Sequence, residues 1–169
     1  MTDKFTIMKF IEIDAAHRVP EHGSGCRNLH GHRYKVEAHC TGALASVGEQ
    51  SGMTLDFKFL KEELMAHIHD PCDHGMILRV DDFILKQVAL EAAGLACDHI
   101  CGSGFKWFEH QQDAVKLYII PVVPTAENLA AHWFWRLKDR VHVRSEGRAV
   151  LSKIRVWETP TCFADYPSL

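Results

Sequence analysis

Two runs near the N-terminus read as strands: residues 5–14 (FTIMKFIEID), which are largely apolar, and 33–41 (RYKVEAHCT), which alternate apolar and polar side chains with a period of two. In the second, Tyr34, Val36 and Ala38 share the face opposite Arg33, Lys35 and Glu37. The glycine-bearing loop EHGSGCRN separates the two runs, and a turn-prone segment, TGALASVGEQSG, follows them. The period then changes. DFKFLKEELMAHIHD places Phe57, Leu60, Leu64 and Ile68 at helical spacing, with Asp56 as the N-cap. A second helical pattern is expected from Asp81 to about Ala93, ending at Gly94. FKWFEH, the QQD turn and AVKLYIIP read as a hairpin. Thr125, just after Pro124, opens a helix over TAENLAAHWFWRLKDRV, and the strands AVLSKIRVWET and CFADY close the chain. The expected order is ββα, an extra helix and hairpin, then αββ, without internal repeats, low-complexity stretches or linkers.

Composition narrows the classes. A chain of 169 residues is expected to form one domain, residues 1–169, with its own core. A formal charge of -3 and a pI near 6.4 give no basic patch, so nucleic acid is not an expected partner. No run approaches the roughly 18 apolar residues of a membrane span, and MTDKFTIMKF lacks a signal-peptide pattern. The expected location is cytoplasmic. There the six cysteines (Cys26, Cys40, Cys72, Cys97, Cys101 and Cys162) are expected to be reduced thiols. Trp107, Trp133, Trp135 and Trp157 are read as core or interface residues.

The densest chemistry lies between His17 and His32. His30 and His32 are two apart at the start of a strand, so both imidazoles project from one face. His17 closes the preceding apolar run, which could pair beside it. Three histidines leave the fourth position of a zinc ion open to water or substrate, as catalytic sites do. These spacings also permit zinc held by Cys26 with two of the histidines. Glu158 shares parity with Ile154 and Val156, which puts a carboxylate on an apolar face, where it needs a partner. Cys97-x3-Cys101, with His99 and His110 nearby, is too loosely spaced to be read as a second metal site.

The segments AAHR, CRNLHGH, GMTLDFKFLK, CDHGMIL, PTAENLA and VWETPTC together resemble the 6-pyruvoyltetrahydropterin synthase superfamily. They look closest to its bacterial branch, the 6-carboxytetrahydropterin synthases (QueD). Two features point to that branch: the three-residue spacer between Cys26 and His30, and Asp56 in the GMTLDF block. The segment from about Arg79 to Asp113 has no counterpart in the compact bacterial form and reads as an insertion.

The resemblance implies an α+β tunnelling fold, with a four-stranded antiparallel sheet, two helices on one face and the inserted helix and hairpin. It implies homo-oligomers, trimers paired into hexamers, with active sites where subunits meet. His17, His30 and His32 would bind Zn2+, and Cys26 would be the general base. Asp73 and His74 match the family's proton-relay pair, although Asp98 and His99 repeat the dipeptide. Glu158 would grip the pterin ring, with Glu127 and Thr125 in support. Helix physics alone also accounts for those last two, as a first-turn acid and an N-cap. The implied reaction converts 7,8-dihydroneopterin triphosphate to 6-carboxytetrahydropterin, releasing acetaldehyde and triphosphate on the way to queuosine and other 7-deazaguanines. The alternatives are a 6-pyruvoyltetrahydropterin synthase, which eliminates triphosphate without carbon–carbon cleavage, and a non-catalytic pterin- or zinc-binding protein on the same scaffold.

Overall fold

A computed structural model describes residues 3–92, 94–95, 108–112 and 115–168. Strands β1 (Phe5–His17) and β2 (His30–Gly42) are antiparallel over thirteen register pairs, from Phe5 opposite Gly42 to His17 opposite His30. β2 continues into β6 (Ala149–Thr159), and β6 into β7 (Cys162–Tyr166), all antiparallel. These four strands are the sheet that the resemblance implies. The described residues extend it to seven strands, in the order β4-β5-β3-β1-β2-β6-β7. β3 (Gly75–Arg79) runs parallel to the end of β1 and to β5 (Val115–Ile120), and β4 (Phe108–Gln112) closes a hairpin with β5. The expectation of four antiparallel strands is therefore corrected: the sheet is mixed, and the hairpin is part of it.

Helix α1 (Phe57–Leu64) starts where Asp56 accepts the Lys58 N–H at 2.8 Å, and runs through a π-helical turn (Met65–His69) into α2 (Asp70–Cys72). Helix α4 (Ala126–Arg144) starts at Thr125, whose hydroxyl accepts the Asn128 N–H at 3.4 Å. Such caps contribute about 1 kcal/mol each. Packing against the sheet contributes more, because fully burying one Leu, Ile or Phe gains roughly 1.5–3 kcal/mol. Leu60, Leu64 and Ile68 of the first helical stretch meet Leu129, Trp133, Leu137 and Val141 of α4 over Ile13, Val36 and Ile154. The extra helical stretch begins as Asp82 caps the Ile84 N–H at 2.8 Å, then passes through a π-helical turn (Leu85–Ala89) into α3 (Leu90–Ala92). Ala93, the expected last helical residue, lies outside the described residues. Leu85 and Leu90 pack with Leu78, Leu117 and Ile119, whereas Ile77, Tyr118 and Ile120 face the main core. β3 and β5 are thus buried on both faces, as parallel strands usually are. No described helix is long and apolar enough to cross a membrane.

Candidate active site

The end of β1 and the start of β2 bring the three histidines together. His17 lies opposite His30, and the even-numbered residues of β2 carry His30, His32 and Tyr34 onto the face occupied by His17. The ring centroids stand 4.6, 4.9 and 5.2 Å apart, and one nitrogen from each ring lies within 4.8 Å of the others. His17 is 1 % exposed. Its Nδ1 donates to the Pro124 carbonyl at 2.7 Å, because a carbonyl can only accept; His30 Nδ1 donates likewise to the Asn28 carbonyl at 2.8 Å. Both bonds leave Nε2 with its lone pair, the arrangement that metal-binding histidines use. Burial holds His17 below its ordinary pKa, which favours the neutral, ligating form, against the opposing pull of the Pro124 carbonyl and Glu158.

His17 Nε2 is buried without a hydrogen-bond partner among the described residues, and a Glu158 oxygen stands 3.5 Å from it. With the ring proton on Nδ1, two acceptors face each other. A cation, or a group that donates, removes that conflict. The donor set, three imidazole nitrogens within 4.8 Å of one another, fits zinc.

Cys26 sits in a short 3-10 turn (Gly25–Arg27), where its carbonyl accepts the Val19 N–H at 2.8 Å. It lines a cavity of about 240 Å³ with Glu158, Thr125, Glu127, His22 and Cys162. Asp73 and His74 lie elsewhere, in the turn between α2 and β3. Asp73 Oδ1 accepts the Asp14 N–H and Oδ2 accepts from His74 Nδ1, both at 2.8 Å. Burial works against the Asp73 carboxylate, but the Asp14 and His74 donors outweigh it and hold the group below the usual carboxylate range. His74 adopts a positive φ of 56°, uncommon for a side chain of its size, and its ring is 78 % exposed. With His32, Arg33 and Lys116 it lines a second cavity, of about 590 Å³. Within one chain, Cys26 and His74 therefore border different cavities: His32 lines the one with His74, and Glu158, beside His17, lines the one with Cys26.

Tyr34 belongs to this site and escaped the sequence reading. It is fully buried, its hydroxyl has no partner among the described residues, and its ring centroid lies 5.6 Å from that of His17 and 5.7 Å from that of His32. Burial, then the charges of Glu158 and Cys26, push its pKa up, so its hydroxyl stays a donor. The signal was present: Tyr34 continues the every-second-residue series of His30 and His32. Asp98, His99, Cys97 and Cys101 lie outside the described residues, as does Trp107; His110 lies on β4, with Nε2 buried and without a hydrogen-bond partner among the described residues. Trp133 is in the core, Trp157 donates to Glu37 at 2.9 Å, and Trp135 is 59 % exposed. Burial pushes the Cys40 thiol up to about 12 and that of Cys72 well above its ordinary value, so both are inert packing residues.

Solved structures share this architecture. An uncharacterized protein from Wolinella succinogenes matches with a TM-score of 0.72 at 22% identity, over 97% of this chain and 98% of that one. The 6-pyruvoyl tetrahydropterin synthase of Caenorhabditis elegans matches with a TM-score of 0.61 at 23% identity, over 99% and 98%. Fold and site together define a tunnelling-fold protein with an open three-histidine centre. The family model for 6-pyruvoyl tetrahydropterin synthase matches residues 6–168, and the chain belongs to that family of enzymes. Its relatives include the 6-carboxy-5,6,7,8-tetrahydropterin synthase of Haemophilus influenzae, 32% identical over 96% of this chain and 98% of the relative. A putative enzyme of the same name from Pyrococcus horikoshii is 31% identical over 98% and 94%.

Proposed function

We propose that the protein is a zinc-dependent lyase that turns 7,8-dihydroneopterin triphosphate and water into 6-carboxy-5,6,7,8-tetrahydropterin, acetaldehyde and triphosphate, a step in queuosine and 7-deazaguanine synthesis. The observation that carries this reading is the buried Nε2 of His17, without a hydrogen-bond partner among the described residues, in a three-histidine cluster and 3.5 Å from Glu158. The names of the bacterial relatives favour the carboxy product over the pyruvoyl one.

His17, His30 and His32 would hold the zinc, leaving its fourth position open. When bound, zinc supplies a Lewis acid that draws charge from an oxygen of the substrate side chain and makes neighbouring protons easier to remove. The rest falls to the chain itself. Cys26 takes a proton from the side chain held beside the triad. Glu158 grips the amino group and ring N–H of the pterin in two-pronged fashion, while Thr125 and Glu127 wall the same cavity. Asp73 fixes the His74 tautomer, with the proton on Nδ1, so that Nε2 can exchange protons with the reacting centre.

Because His74 is exposed and borders a different cavity from Cys26, the pair serves the thiol of a neighbouring copy in this reading. The sheet offers the means. β3 covers only Ala15–His17 of β1, so Phe5–Ile13 have no strand on that side among the described residues, and β7 is the opposite edge. Phe5, Met8 and Phe10 are exposed along the open stretch. Such edges call for cover, and edge-to-edge joining into a trimer or hexamer provides it.

Anaerobic incubation of the zinc-loaded protein with 7,8-dihydroneopterin triphosphate, with products read by mass spectrometry, tests the reaction. A carboxytetrahydropterin mass with acetaldehyde is expected. A pyruvoyl product without acetaldehyde moves the protein to the other branch, and untouched substrate overturns the reading.

A further inference from the structure

The loop that carries Cys26 lacks an apolar anchor: every residue from 18 to 29 is exposed or half-buried. What ties it down comes from the segment without a counterpart in the compact form. Arg79, the last residue of β3, donates to both oxygens of Glu21, from Nη2 at 2.6 Å and from Nη1 at 3.3 Å, and it also donates to Asp81. Asp82, 1 % exposed, accepts from Arg18 Nη1 at 3.4 Å with the oxygen that also caps the Ile84 N–H. The two clasping residues belong to one turn, since the Asp82 N–H donates to the Arg79 carbonyl at 2.9 Å. That turn is fixed to the sheet by the Val80 N–H, which donates to the Ile120 carbonyl at 2.9 Å.

On the loop side, Arg18 and Glu21 straddle Val19, whose N–H holds the Cys26 carbonyl at 2.8 Å, and the His22 N–H closes the turn on the Val19 carbonyl at 3.0 Å. A shift of Glu21 or Arg18 therefore passes through Val19 to Cys26. We infer that the Arg79–Asp82 turn is a positioning element for Cys26, acting through the Arg79–Glu21 and Asp82–Arg18 pairs. An isolated surface pair contributes little. This one is two-pronged on the Glu21 side, shares its turn with a buried carboxylate, and holds a reacting group, for which a displacement of about 1 Å can cost orders of magnitude in rate.

The inference rests on Cys26 being the reacting thiol, so its test includes a reading that needs no turnover. Zinc-loaded native protein, Arg79→Ala, Glu21→Ala, the double variant and Arg79→Lys are compared by two measurements. One is the rate at which iodoacetamide alkylates Cys26, resolved from the other cysteines by peptide mass spectrometry. The other is kcat and KM. Each single alanine variant is expected to change the alkylation rate at least threefold and to lower kcat about tenfold, with KM within about twofold. The double variant should be no worse than Arg79→Ala alone, because both single variants remove the Arg79–Glu21 interaction. Arg79→Lys, which keeps the charge but cannot make the two-pronged contact, should give an alkylation rate between those of native protein and Arg79→Ala. Native alkylation rates in both single variants overturn the inference, as do multiplicative effects in the double variant. If the native protein leaves the pterin untouched, the alkylation cycle still decides the clasp, so failure of the reaction and failure of the clasp are separate results.

Discussion

Replacing Asp73 by asparagine separates chemistry from stability. The amide keeps an oxygen for the Asp14 N–H, so the 2.8 Å bond that seats the turn survives. It puts an NH2 group opposite His74 Nδ1, where the carboxylate oxygen accepts at 2.8 Å. Nδ1 must then accept, the ring proton moves to Nε2, and the nitrogen that should take up a proton already carries one. The lost contact is with a ring that is 78 % exposed, so its contribution to stability is that of a surface pair, about 0–1 kcal/mol. For a domain of this size that corresponds to a fall in Tm of no more than about 2–4 °C. General acid–base groups contribute about 10²–10⁴-fold, and a carboxylate-to-amide change that inverts a histidine tautomer costs about 10⁴-fold in a comparable triad. The expected result is therefore a kcat lower by about 10²–10⁴-fold with Tm almost unchanged, measured by triphosphate release and calorimetry on zinc-loaded protein. Turnover within about threefold of native would refute the tautomer argument. A collapse in Tm would show that the turn, not the proton, depends on Asp73.

Three further outcomes are expected. Cys26→Ala should retain zinc and bind pterin but lose turnover; if turnover survives, another group removes the proton. Glu158→Gln should raise KM by roughly ten- to a hundredfold, the loss of one charge-assisted hydrogen bond, and an unchanged KM would remove Glu158 from the pterin contact. Asp165 is held below the usual carboxylate range, first by the hydrogen bonds from Arg155 at 2.7 and 2.8 Å and then, after an opposing effect of burial, by Lys153. A depressed folded pKa gives stability that is complete above the unfolded value of about 3.9 and is lost as pH falls through the folded value. The Tm of the native protein should therefore drop more steeply on acidification below about pH 4 than that of Asp165→Asn, and parallel curves would count against it.

Much of this was legible in the chain because it depends on local periodicity and caps. The apolar run of β1, the alternation in β2, the Asp56 and Thr125 caps and the parity of His30 with His32 all locate themselves within a few residues. β3 did not, because MILR is short and buried on both faces, which removes the alternation that marks a half-exposed strand. The parallel pairing of β3 with β1 and β5 joins residues far apart in sequence, so no local pattern could place the hairpin in the sheet. The ion pairs of Arg79 and Arg18 were hidden for the same reason, since Glu21 lies 58 residues from its partner. Tyr34 was visible on the apolar face of β2 but not as part of a site, because nothing in a strand pattern says that its hydroxyl lacks a partner among the described residues.

The central claim is that the three histidines form one metal centre on which turnover depends. Metal-free protein titrated with zinc tests it most directly, with bound zinc and turnover of 7,8-dihydroneopterin triphosphate followed together. Turnover is expected to rise in proportion to bound zinc and to level off at about one ion per chain, as a single three-histidine centre requires. In His32→Ala, zinc should neither bind at that stoichiometry nor restore activity. Turnover by the metal-free protein, or full zinc occupancy in His32→Ala, would contradict the account.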